Sequence, residues 1–135
     1  METVHTSVAT LTLLEDSVIL LQVNSHSDLG VKGIIEIREA NFKLNNGNPY
    51  CVLMEAGEFT AATKEAREMS ATKEHAKNRI AMAIIQNNVA IKLLTIFYLK
   101  INKPVSPTKP FRTKEEALVW LREMRDSYYS KHKKK

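Results

Sequence analysis

Two periods divide this chain. Apolar residues alternate or run on through Leu11, Leu13 and Leu14, through Val18-Ile19-Leu20-Leu21-Gln22-Val23, through Tyr50-Cys51-Val52-Leu53-Met54 and through Ile80-Ala81-Met82-Ala83-Ile84-Ile85. Those runs predict strands. Elsewhere apolar residues return every three or four positions, the period of an amphipathic helix. Glu15-Asp16-Ser17 separates the first two runs and predicts a hairpin.

Four helices are predicted between and after the strands. The first covers residues 29–44, capped by Asp28, with Val31, Ile34, Ile35 and Phe42 at helical spacing and a stop at Asn45-Asn46-Gly47-Asn48-Pro49. The second covers residues 60–77, rich in good helix formers, with Ala62, Ala66, Met69 and Ala76 inward. A third, residues 89–101, places Ala90, Leu93, Leu94, Phe97 and Ile101 on its inner face, and Asn102-Lys103-Pro104 ends it. The prolines at 104, 107 and 110 predict an irregular connector, with Phe111 at most a short edge strand. Thr113 and Glu116 have capping-box spacing for a last helix that turns Ala117, Trp120, Leu121 and Met124 to the core and Arg122 and Arg125 to water.

Strands without polar alternation that feed directly into helices predict an α/β domain whose sheet is covered on both faces, with a mixed sheet of about four to five strands and about four helices. Composition allows one core. The chain has 135 residues and is 44% hydrophobic, which predicts a single domain over residues 1–130. Its net charge of +5 comes largely from the tail, residues 131–135, so the folded body is close to neutral and no specific nucleic-acid partner is expected. Mixed charges over residues 64–77 read as a solvated, salt-bridged face.

The lone Cys51 excludes a disulfide framework within the chain and predicts a buried thiol in a reducing compartment. No segment approaches the roughly 18 consecutive apolar residues of a membrane span. A cytoplasmic protein is the expectation. His5, His26, His75 and His132 have no partners at metal-ligand spacing, and the glycines form no phosphate loop. Catalysis, metals and cofactors are therefore not expected.

The order of elements, closing on Pro-Phe-Arg-Thr-Lys-Glu-Glu-Ala-Leu-Val-Trp-Leu with its Phe111, Glu115, Glu116, Ala117, Trp120 and Leu121, resembles the STAS fold of anti-sigma-factor antagonists. It is closest to the SpoIIAA-like branch of small bacterial proteins. The resemblance implies a non-catalytic regulatory domain acting on a kinase-like or sigma-regulatory protein partner. It directs attention to the loop after residues 50–54, where the family carries an acidic residue and a phosphorylated serine. Here Glu55 stands for the acid, no Asp-Ser element follows, and Thr60 and Thr63 are the hydroxyls left for a phospho-switch. The implied partner surface joins Glu55, Glu58, Phe59, Thr60 and Thr63 to Asn87 and Asn88 at the neighbouring strand end. Excess apolar residues at Ile91, Ile96 and Tyr98 would serve the core, a homodimer or a partner. The alternative is a small-ligand or lipid-binding domain, more distantly similar to SEC14-type proteins, with a cavity between residues 89–101 and the sheet.

Overall fold

The computed structural model describes residues 2–133, so Met1 and the tail residues Lys134 and Lys135 lie outside the account that follows. In chain order the elements are β1 (Thr3–His5), β2 (Ala9–Glu15), β3 (Val18–Val23), β4 (Asp28–Leu29), α1 (Val31–Leu44), β5 (Tyr50–Ala56), β6 (Ala61–Ala62), α2 (Lys64–Ala71), β7 (Arg79–Ile85), α3 (Val89–Phe97), β8 (Thr108–Phe111) and α4 (Lys114–Lys131). A π-helical turn, Tyr98–Asn102, extends α3. Six strands form a mixed sheet in the order β1-β2-β3-β5-β7-β8. The first three are antiparallel, and β3, β5, β7 and β8 are parallel.

The sheet is thus wider than the expected four to five strands. One extra strand is β1, whose three residues carry too little pattern to read. At the other edge β8, expected at most as a short strand at Phe111, runs over Thr108–Phe111, where the prolines predict irregular chain. An edge strand bonds on one side only, so Pro110 loses no ladder bond by lacking an N–H, while Pro107 and Phe111 supply carbonyls to Met82 and Gln86. A separate two-stranded sheet pairs β4 with β6.

Alternation along the parallel strands sorts two cores. Val18, Leu20, Cys51, Leu53, Ala81, Ala83 and Ile85 meet Ala117 and Leu121 of α4. Ile19, Leu21, Val52, Met82 and Ile84 face the opposite side, toward Ile37, Ala40, Ile91 and Tyr98 of α1, α3 and the π turn. Between them the pairing of β5 with β7 slips by one residue, from Tyr50 opposite Arg79 to Cys51 opposite Ala81. Ile80 is the extra residue of this bulge.

Several helix boundaries and faces differ from the pattern's prediction. Asp28 belongs to β4, and α1 starts after Gly30 without a side-chain cap. The second helix keeps only eight residues, because the Thr60 hydroxyl donates to the Asn24 and Gly57 carbonyls, holding the chain extended, and Thr63 rather than Thr60 caps α2. At the far end Thr72 leaves helical geometry. On α4, Ala117 and Leu121 are buried and Trp120 and Met124 half-buried, but Arg125 does not point to water. Arg122 and Arg125 both donate to Glu15, the former through Nε and Nη2, and tie α4 to the β2–β3 hairpin. These bonds, Arg122's first, hold the Glu15 carboxyl below its ordinary pKa.

The largest revision concerns α3. Its inner face is Ile91, Thr95 and Tyr98, with Leu94 half-buried; Ala90, Leu93, Phe97 and Ile101 face out. Asn88 sets this phase by accepting the Ile91 N–H, and Thr95 tolerates burial because its hydroxyl donates to the Ile91 carbonyl.

Candidate functional site

The loops predicted to form a contact surface do come together at the C-terminal ends of the parallel strands. His26 N–H donates to the Glu58 carbonyl, Glu58 N–H to the Ser25 hydroxyl, and Gly57 N–H to the Val23 carbonyl. Gly57 is required there, since a Cβ would sit 2.5 Å from Ser25 N. His26 and Phe59 both hold left-handed backbone, φ 61° and 56°, and their rings stack at 5.1 Å. Such geometry in non-glycine residues costs of order 1 kcal/mol or more each.

Most of the predicted site residues here perform structural tasks. Glu55 is paired with Lys114 at 3.2 Å and accepts from Gln22. Thr60 is 9% exposed and uses its hydroxyl as a donor. Thr63 caps α2, Asn88 caps α3, and Asn87 donates to the Ala56 carbonyl. Glu58, Phe59, Asn87 and Asn88 are exposed, Phe59 to 75%.

A cavity lies elsewhere, between the sheet and α1, α2 and α3. Its volume is about 110 Å³. Leu21, Val52, Met54, Met82 and Ile84 form its floor, and Ile34, Ile37, Ala66, Ile91 and Leu94 its roof. The helices leave this space because α2 is short and offers only Ala66 and Ala71 as buried residues.

Toward the N-terminal ends of β5 and β7 the lining becomes polar, with Arg38, Asn41, Tyr50, Ser70, His75, Arg79 and Tyr98. The bulge at Ile80 is responsible for one of these. Strict alternation from Met82 and Ile84 would send residue 79 to the α4 face; one inserted residue turns Arg79 to the cavity face instead. Its guanidinium is then fixed by Nε to the Ser106 hydroxyl at 2.8 Å and Nη2 to the Ser70 carbonyl at 2.8 Å, while the Ser70 hydroxyl lies 3.0 Å from that of Tyr98. Arg38 Nη1 lies 3.4 Å from His75 Nδ1. Arg67, at the α2 wall, bonds the Ala62 carbonyl and covers the Phe97 ring at 5.0 Å.

Charge balance at this rim is one-sided. Among the described residues no carboxylate pairs with Arg38, Arg67 or Arg79. Burial, reinforced by Arg79 and Arg38, pushes the His75 pKa down to about 4, so the imidazole is neutral near pH 7 and can accept from Arg38. Burial likewise raises the Tyr50 phenol, against the opposing pull of the same two arginines. The side-chain oxygen of Asn41, a buried residue, has no hydrogen-bond partner.

A profile described as a domain of unknown function, DUF7793, matches residues 12–125. The chain belongs to that family. The matched span of this DUF7793 domain contains the cavity's whole lining and both partners of the bulge. No curated protein and no solved structure matches the chain. Among the described residues no group of three or more His, Cys, Asp or Glu side chains is placed to hold a metal ion, and no helix is long and apolar enough to cross a membrane.

Sequence reasoning pointed to a cavity under residues 89–101 as an alternative but missed its polar rim. Arg38 lies far from His75 and Arg79 in the chain, and the bulge that turns Arg79 into the cavity leaves no mark in the apolar pattern. The solvated reading of His75 and its neighbours concealed a buried imidazole.

Proposed function

We propose that this domain is a non-catalytic binding module that holds a small, mostly apolar molecule in the cavity between α1, α2, α3 and the sheet. The observation that carries the reading is the cavity itself, an apolar space of about 110 Å³ in a protein class whose interiors are close-packed. Apolar cavities of about 150 Å³ accept benzene, so this one is of the scale of a small organic body. The small-ligand side of the likeness to STAS and SEC14-type domains agrees with it.

Native mass spectrometry of gently purified protein provides the test. A non-covalent adduct that is lost in Leu94→Trp, which fills the cavity from its half-buried wall, supports the module. Adduct-free protein that also fails to take up benzene contradicts it.

A second reading is favoured by Phe59. Its ring, 75% exposed and held on His26 in left-handed backbone, suits the cytoplasmic regulatory contact that the STAS resemblance implies. Thr60 and Thr63 fit that reading less well as phosphate acceptors, since both hydroxyls hold the local fold. Loss of a captured kinase-like or sigma-regulatory partner, or of a homodimer, in Phe59→Ser would support the contact; unchanged capture and dimerisation would remove it.

A further inference from the structure

The outer face of α3 and its π turn is bare. Val89, Leu93, Ile96, Phe97 and Ile101 recur there at helical spacing and are all exposed, Val89 to 72% and Leu93 and Ile101 to 62% each. Single exposed apolar residues are ordinary, but a row of them along one helix face marks a contact surface. We propose that this face docks the domain peripherally on an anionic lipid bilayer, its apolar row entering the headgroup boundary and Lys92, Lys100, Lys103 and Arg112 resting on lipid phosphates.

Charge selects the partner. Between Glu74 and Glu115 the sequence contains no acidic residue, while Lys92, Lys100, Lys103, Lys109 and Arg112 are all basic and all exposed. Among the described residues none of these five is in an ion pair. Lys92 and Arg112, distant in the chain, line one shallow depression with Val89 where α3 begins, and Lys100 and Lys103 stand at the other end of the row. Arg67 adds a cation at the side, its guanidinium 5.0 Å from the centroid of the Phe97 ring. Cations therefore surround the apolar row. At a bilayer boundary apolar side chains sink below the headgroups, while lysine stems lie along them and keep the ammonium groups at phosphate level.

The inner side of the helix makes such docking cheap. Ile91, Thr95 and Tyr98 are buried against the rest of the domain, so the outer row can enter lipid without any rearrangement of the fold. A second copy of the chain is the poorer occupant. Two of these faces brought together would set lysine against lysine, with no carboxylate in the segment to relieve the repulsion. A bilayer needs no complementary shape, only an apolar row flanked by cations. Docking through this face is independent of what the cavity holds.

Flotation of the full chain with vesicles of phosphatidylcholine alone, and of phosphatidylcholine with one third phosphatidylglycerol, tests the proposal. The expected result is binding to the anionic vesicles at least about tenfold tighter than to the neutral ones, weakening as salt rises. Leu93→Ser should reduce it by about tenfold and Lys92→Gln by about fivefold, both side chains being exposed and so dispensable for folding. Val89→Ser repeats the first measurement at a second exposed position should Leu93→Ser fail to fold. Because Leu93→Ser changes no charge, binding carried only by the basic tail, residues 131–135, would survive it. Such survival overturns the proposal, as does equal binding to both vesicles or binding to neither. A dimer in gel filtration that Leu93→Ser dissolves, with vesicles left unbound, would assign the face to a second copy. Polyglutamate bound in place of vesicles would assign it to an acidic protein surface, and either result overturns membrane docking.

Discussion

The two faces of the central sheet are made from the same strands and end differently. Under α4 the strand residues are small or fully covered: Ala81, Ala83, Cys51 and Leu53 meet Ala117 and Leu121 of a helix of 18 residues, and all six are at 0% exposure. Burial there pushes the Cys51 thiol up to about 12, which makes it inert. The opposite face carries larger side chains, Met82 and Ile84, but is roofed by three separate helices, two of them short, and keeps a void. One long helix covers a twisted sheet continuously; several short ones leave a seam. The difference shows that strand composition alone does not decide whether a face is filled.

The largest expected effect lies on the filled face. Leu121→Ala should destabilise by about 3 kcal/mol in urea unfolding, because its surroundings have no room to collapse. A loss under about 1 kcal/mol would mean that this face is also loosely filled.

His75 gives the hollow face a pH signature of comparable size. Its pKa falls from 6.5 to about 4 on folding, so between those values the unfolded chain binds the proton and the folded one does not. Stability should therefore be full above about pH 6.5 and fall as pH drops toward 4, by about 2 to 3 kcal/mol. Comparing wild type with His75→Gln across that range checks it, since the variant should lack this component.

Enlarging one alanine on each face sharpens the contrast. Ala83→Leu should cost about 2 kcal/mol through overpacking, whereas Ala62→Leu, which borders the void, should change stability by about 0.5 kcal/mol or less. Equal costs would argue against a void. A smaller cost than that of Ala83→Leu is expected at the clamp of α4: Glu15→Gln should cost about 1 kcal/mol at neutral pH. Because the folded carboxyl has a lowered pKa, that contribution is present above about 4.5 and lost as pH falls through the folded value, so variant and wild type should converge in acid.

Much of the scaffold was legible in the chain. Continuous apolar strands announced a sheet covered on both faces, Thr113 and Glu116 announced α4, and Cys51 announced a buried thiol. What stayed hidden depended on single residues overriding the average pattern. Asn88 and Thr95 fixed the phase of α3 and turned its most apolar stripe outward; the Thr60 hydroxyl kept residues 60–63 out of a helix. The polar rim required a bulge at Ile80, a backbone feature to which no residue type is specific. The implied contact residues lie at neighbouring strand ends, yet Glu55, Thr63, Asn87 and Asn88 are occupied in holding the loops and helix starts.

The central claim is that the α1–α3 face is a binding space and the α4 face is not. Methyl-resolved NMR of the full chain, titrated with a small apolar probe such as benzene, addresses it most directly. The account predicts saturable shifts at Met54, Met82, Ile84 and Ile91, with Leu53 and Leu121 unmoved. Shifts shared equally by both faces, or none at either, would contradict it.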